Sequence, residues 1–137
     1  MILVSVGPTA GALAAPPVAR GLAAAGHAVQ VILEPGTDHF VGPGSFLPAS
    51  EVVESNSTAP DAVLCLPATA GTLARLARGL DHPAAVARSG GATLFVAPDL
   101  DAATARNPAV RSNLEALRGD GAKESSARGA VWPGWMR

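Results

Sequence analysis

The sequence predicts an α/β fold in three layers, a parallel β-sheet with helices on both faces. Apolar runs of strand length recur at residues 2–6, 28–33, 62–66 and 93–97, and a run that is apolar throughout marks a strand covered on both sides. Helix-period stretches lie between them, with Leu73, Leu76, Ala77 and Leu80 spaced to share one helical face. Neighbouring parallel strands joined by helices require right-handed crossovers. Strands alternating with helices in this way make the three-layer sheet the economical architecture.

Taken in order, the strand at 2–6 leads into Gly7-Pro8-Thr9-Ala10-Gly11-Ala12 and a helix over 13–25. Pro16 and Pro17 fall near its first turn, where backbone amides have no intrahelical partner, and Gly26 ends it. The strand at 28–33 completes a β-α-β unit. The turn after the first strand can cradle phosphate on its amides, with Thr9 adding a hydroxyl, or serve as a turn alone. Glu34 stands where dinucleotide-binding folds often hold an acid for ribose hydroxyls; it reads equally well as a solvated carboxylate at a strand end. The Gly-x-x-x-Gly spacing departs from Gly-x-Gly-x-x-Gly, which argues against NAD.

Residues 35–60 are rich in turn formers, with a helical turn expected at 38–41 and a short strand at 51–53. His39 beside Phe40 faces either a cleft or solvent.

The stretch 61–80, DAVLCLPATAGTLARLARGL, joins strand, turn and helix in immediate succession. Pro67 is expected to close the strand, leaving Ala68-Thr69-Ala70-Gly71-Thr72 as the turn. Two hydroxyls, bare amides and a helix N-terminus there favour an anion or the polar edge of a cofactor.

A helical piece follows Asp81-His82-Pro83 through Arg88, then a Ser-Gly-Gly turn and the strand at 93–97. Pro98-Asp99-Leu100-Asp101 places two carboxylates just past a strand's C-terminal end, where open parallel sheets carry their ligands. Asp101 reads equally as the N-cap of a helix over 102–106. Asn107-Pro108 begins the last helix, with Val110, Leu114 and Leu117 on one face and a stop at 119–121. The tail 122–137 is expected to be mostly irregular, its Trp132 and Trp135 covering a core edge or a neighbouring subunit.

A chain of 137 residues with 48% hydrophobic residues supports one domain, 1–137, with 122–137 as a short C-terminal tail. A net charge of -1 and a pI near 6.3 provide no basic footprint for nucleic acid. The absence of a long apolar run or a basic leader predicts a cytoplasmic protein without a membrane span. Cys65, within the apolar strand, reads as a buried, inert thiol. His27, His39 and His82 lack paired ligand spacing, so no metal is expected.

Several segments, in order, carry a further likeness. Pro67-Ala-Thr-Ala-Gly-Thr72 resembles the motif Pro-Ala-Ser-Ala-Asn-Thr. Ala97-Pro-Asp-Leu-Asp101 with Asn107-Pro-Ala-Val110 and Asn113-Leu resembles Ala-Pro-Ala-Met-Asn followed by Asn-Pro-Ala-Val and a helix. Val131-Trp-Pro-Gly-Trp-Met136 resembles the close Val-Gly-Pro-Gly-Arg-Met, and the N-terminal strand, Thr9 turn and AAAGHAVQVIL resemble the opening. These motifs belong to the homo-oligomeric flavin-containing cysteine decarboxylases. That family includes phosphopantothenoylcysteine decarboxylase and the enzymes that oxidatively decarboxylate the C-terminal cysteine of lantibiotic-like peptides.

The resemblance implies a flavodoxin-like (Rossmann-like) domain with FMN, or FAD, at a subunit interface, in trimers that assemble into dodecamers. It implies a peptide substrate ending in cysteine, oxidised at its side chain by the flavin and decarboxylated to an enethiol. Thr9, Thr69 and Thr72 are carried over as flavin-contacting positions, with Pro67, Ala68 and Gly71 alongside. Asp101 is the candidate catalytic residue, with His39 or His82 of a neighbouring subunit as possible helpers.

The departures from the family pattern fall on the chemistry. Gly71 and Asp101 stand at its two asparagines, Leu100 at its methionine, Val53 near its catalytic histidine, and Glu34 at a hydroxyl residue that approaches the flavin phosphate. The segment between Gly121 and Gly129 is short for a peptide clamp. Two functional expectations follow: a divergent peptidyl-cysteine decarboxylase, or a non-catalytic flavoprotein-like subunit that oligomerises with or scaffolds a catalytic partner, with no flavin if the site is degenerate. The opening also resembles the acceptor-side start of a glycosyltransferase, but the chain is too short for that two-domain enzyme.

Overall fold

The computed structural model describes residues 1–55 and 59–125. The expectations for Trp132, Trp135, the 131–136 close and residues 126–129 of the 121–129 segment lie outside the described residues.

Among the described residues, six strands form one parallel sheet: β1 (Ile2–Val6), β2 (Val29–Leu33), β3 (Glu51–Val52), β4 (Ala62–Ala68), β5 (Thr93–Pro98) and β6 (Lys123–Glu124). Their spatial order is β3-β2-β1-β4-β5-β6. The helices are α1 (Ala15–Ala24), α2 (Ala70–Arg78), α3 (Pro83–Ser89), α4 (Ala102–Ala105) and α5 (Pro108–Gly119). This is the expected three-layer, flavodoxin-like arrangement.

The alternation of side chains along β1 divides the core in two. Ile2, Val4 and Val6 join Ala12, Ala15, Ala19 and Leu22 on one face. Leu3 joins Leu73, Leu76, Ala84, Ala87 and Leu117 on the other. The alanines of the α1 side are fully buried, so small side chains set a close approach between helix and sheet. Cys65 is fully buried in β4, and burial, then the nearby Glu34 carboxylate, pushes its thiol well above the ordinary range. It is an inert core residue, as expected.

Three boundaries differ from the sequence-based expectation. Pro67 does not close its strand: β4 continues to Ala68, and α2 begins at Ala70 with Thr69 as its N-cap. The expected five-residue turn therefore contracts to Thr69, because Thr69 Oγ1 accepts the Thr72 N–H and starts the helix early. The first helix opens with a 3-10 turn at Ala10–Ala14, capped by Thr9. The tail begins with order, since β6 pairs with β5 in parallel register.

Strand order reverses direction between β1 and β4, and in open α/β sheets the crevice outside such a switch point is where ligands bind. Here the two strand ends are fastened together: Gly7 N–H donates to the Pro67 carbonyl at 3.2 Å. A Cβ on Gly7 would lie 2.5 Å from that carbonyl oxygen and 2.8 Å from Glu34 Oε2. Glycine is required by this approach.

Candidate functional site

Two hydroxyl-bearing turns flank the switch point. At the first, Thr9 accepts the Gly11 N–H on Oγ1 at 3.2 Å and donates its own proton to Asp99 Oδ2 at 2.6 Å. Gly11 N–H also reaches Asp99 Oδ2 at 3.2 Å. The Asp99 backbone is held in turn, its N–H donating to the Ala68 carbonyl at 3.0 Å. A Cβ on Gly11 would stand 2.6 Å from Asp99 Oδ2. The place where an exogenous anion would meet the Thr9 turn is filled by the chain's own carboxylate.

The second turn is built alike. Thr69 caps α2, and its Oγ1 lies 3.0 Å from Thr72 Oγ1. The Thr72 hydroxyl, buried, donates to Glu34 Oε1 at 3.1 Å. Glu34 leaves the end of β2 and is also hydrogen-bonded to His82 Nε2. The other ring nitrogen, Nδ1, accepts the Ala84 N–H at 3.1 Å as the N-cap of α3, so the ring proton lies on Nε2 and is donated to Glu34. Side-chain exposure is 11% for Glu34 and 4% for His82. Thr72 and His82 thus fix a nearly buried carboxylate from two helices.

These groups border an open cleft of about 570 Å³ between the C-terminal end of β2 and the starts of α2 and α3. Pro8, Ile32, Leu33 and Pro83 supply apolar wall; Thr69, Gly71, Thr72 and His82 supply polar edge. Its charged lining is Glu34, Glu54 and Asp81 against Arg75. No three His, Cys, Asp or Glu among the described residues gather as a metal site, and none of the described helices is long and apolar enough to cross a membrane.

The residues picked out from the sequence thus have distinct placements. Thr69, Gly71 and Thr72 line the cleft. Thr9 is turned to Asp99, and the Pro67 and Ala68 carbonyls hold neighbouring segments of backbone. Asp101 is exposed and caps α4, accepting the Thr104 N–H at 2.7 Å; that hydrogen bond holds its carboxyl below the usual value. It is the helix-capping alternative that the geometry supplies. Leu100 and Val53 pack at the margin of the second core cluster. His39 is exposed and does not line the cleft.

Sequence reasoning missed the roles of Asp99 and His82. Of the two carboxylates after β5 it weighted Asp101, whereas Asp99 is the one turned toward Thr9. His82 had a local signal, since it precedes Pro83 at a helix start, where caps are found. Its contact with Glu34 had none.

The expected FMN can be tested against these side chains. A phosphate monoester brings about 1.5 to 2 negative charges at neutral pH and needs donors. The Thr9 and Thr72 hydroxyls already donate to Asp99 and Glu34, and the cleft presents three carboxylates to one guanidinium. The phosphate does not fit these residues. A neutral ring system meets the apolar walls without that opposition.

No family model matches the chain, and no curated protein does. Solved structures do. The FMN-dependent cysteine decarboxylase TvaF from thioviridamide biosynthesis is similar at 28% identity, over 90% of this chain and 88% of that one, with a TM-score of 0.79. The FMN-dependent cysteine decarboxylase SpaF is similar at 25% identity, over 91% and 82%, with a TM-score of 0.75. The epidermin biosynthesis protein EpiD from Staphylococcus aureus, at 19% identity, shares the fold over 90% and 80% with a TM-score of 0.74.

Proposed function

The chain is a structural match to the homo-oligomeric flavin-containing cysteine decarboxylase family, and from that premise we propose that it serves peptidyl-cysteine decarboxylation as a non-catalytic subunit. In this reading it oligomerises with, or scaffolds, a flavin-bearing partner of the same fold in the cytoplasm. One observation carries the reading: Asp99 takes the Thr9 hydroxyl and Glu34 takes the Thr72 hydroxyl. The two turns assigned to flavin are satisfied from within the chain. The changes at Val53, Gly71, Leu100 and Asp101 point the same way, because Asp101 is engaged at a helix cap instead of facing the cleft.

A second reading has its own support, the 28% identity to a decarboxylase over nine-tenths of the chain. There the chain itself converts a peptide's C-terminal cysteine to an enethiol, the peptide losing carbon dioxide and passing two hydrogens to FMN or FAD, within a homotrimer or dodecamer. Thr69 and the first turn of α2 are what it retains for that task.

Purification separates the two. The subunit reading predicts colourless protein that leaves a peptide ending in cysteine unchanged by mass spectrometry, and that forms a mixed oligomer when co-expressed with a flavin-bearing decarboxylase of this fold. Yellow protein that removes the mass of formic acid from that peptide on its own establishes the catalytic reading instead.

A further inference from the structure

Resting on the reading that this chain does not hold FMN, we propose that Glu34 is the specificity determinant that rejects phosphorylated ligands, and that it does so by charge and not by filling the cleft. The Glu34 carboxylate is fixed at the end of β2 by the Thr72 hydroxyl and the His82 Nε2–H. Held by two helices, it cannot swing aside to admit an anion, and Gly7 packs against its Oε2 side. The open volume beside it, about 570 Å³, is within the range of small-molecule sites. Size therefore leaves room for a ligand whose charge the lining opposes.

Arg75 is the lining's cation, and it is shared: Glu54 and Asp81 line the same cleft, and its guanidinium reaches the Asp81 carbonyl at 3.4 Å. His82 is turned inward, its Nδ1 accepting the Ala84 N–H and its Nε2 meeting Glu34. The ligand class selected is consequently an uncharged compound without phosphate that meets the apolar wall of Ile32, Leu33 and Pro83.

Riboflavin and FMN share a ring and differ by the phosphate, so the ratio of their dissociation constants reads this charge alone. E34Q keeps an acceptor for His82 and Thr72 while removing the charge. We expect E34Q to bind FMN at least about tenfold more tightly than wild type, the scale of one like-charge contact at a protein surface, with riboflavin affinity changed by less than about threefold. E34D, which keeps the charge, should show no such gain. In the wild-type protein, added salt should lower the FMN-to-riboflavin ratio by screening, a readout that needs no variant to fold. An E34Q that gains nothing for FMN, or a wild-type ratio that salt does not move, overturns the proposal. Tight FMN binding by wild type defeats the underlying subunit reading, whereas colourless wild type with an unresponsive E34Q defeats only the role of Glu34.

Discussion

The two hydroxyl turns beside the switch point have the same parts: a threonine that caps a helical turn, a glycine, and a carboxylate from a distant strand end. They are closed differently. At the Thr9 turn the carboxylate is packed against backbone, with no room for a Cβ on Gly11. At the Thr69 turn, a Cβ on Gly71 would have Thr69 Oγ1 at 3.6 Å as its nearest neighbour, ordinary contact distance. Sterics seal the first turn; charge and hydrogen bonding alone guard the second. Two turns with the same hydroxyls can therefore differ in what closes them, and the hydroxyls alone do not reveal the difference in sequence.

Substitutions sharpen this contrast. The largest effect is expected for G7A, where the new Cβ meets the Pro67 carbonyl, a backbone atom that cannot rotate away; about 3 kcal/mol of unfolding free energy should be lost in urea titration. H82A should cost about 2 kcal/mol, because it removes the α3 cap and leaves Glu34 with Thr72 as its remaining hydrogen-bond donor among the contacts described. The glycine pair tests the comparison itself. G11A should destabilise by about 1–2 kcal/mol through its contact with Asp99, while G71A should stabilise by about 0.5 kcal/mol, as alanine replaces glycine in open helical space. Equal costs at both positions would refute the distinction between a sealed and a guarded turn.

The smallest effect concerns Asp101. The Thr104 N–H holds its folded-state carboxyl below the unfolded value, so the ionised cap contributes above the ordinary carboxylate range and that contribution is lost as pH falls through the lowered value. D101N should be slightly less stable than wild type at neutral pH, the gap closing in acid. A gap that widens on acidification would show that Asp101 has some other partner.

Much of the fold was legible because its signals are local. The apolar runs of β1, β2, β4 and β5 announce strands buried on both faces, and the periodicity of Leu73, Leu76 and Leu117 marks the helices that cover them. The error at Pro67 came from treating proline as a stop, when Thr69 two residues later determines where α2 starts. The site was legible only as positions. Thr9, Thr69 and Thr72 were found on their turns, but Thr9 meets Asp99 across 90 residues and Glu34 meets His82 across 48. Such pairs exist only after the sheet orders its strands, and no local pattern encodes them. Asp101 was favoured over Asp99 for the same reason: the sequence places both past β5, and the turn into α4 decides which one faces Thr9.

The central proposal is that the chain's own carboxylates occupy the hydroxyls of the turns expected to contact flavin, and equilibrium titration of the purified wild-type chain with FMN, followed by quenching of flavin fluorescence, tests it most directly. The account predicts no saturable quenching at micromolar FMN, a concentration of about the scale at which a functional cofactor site fills. Stoichiometric, saturable binding there would contradict it.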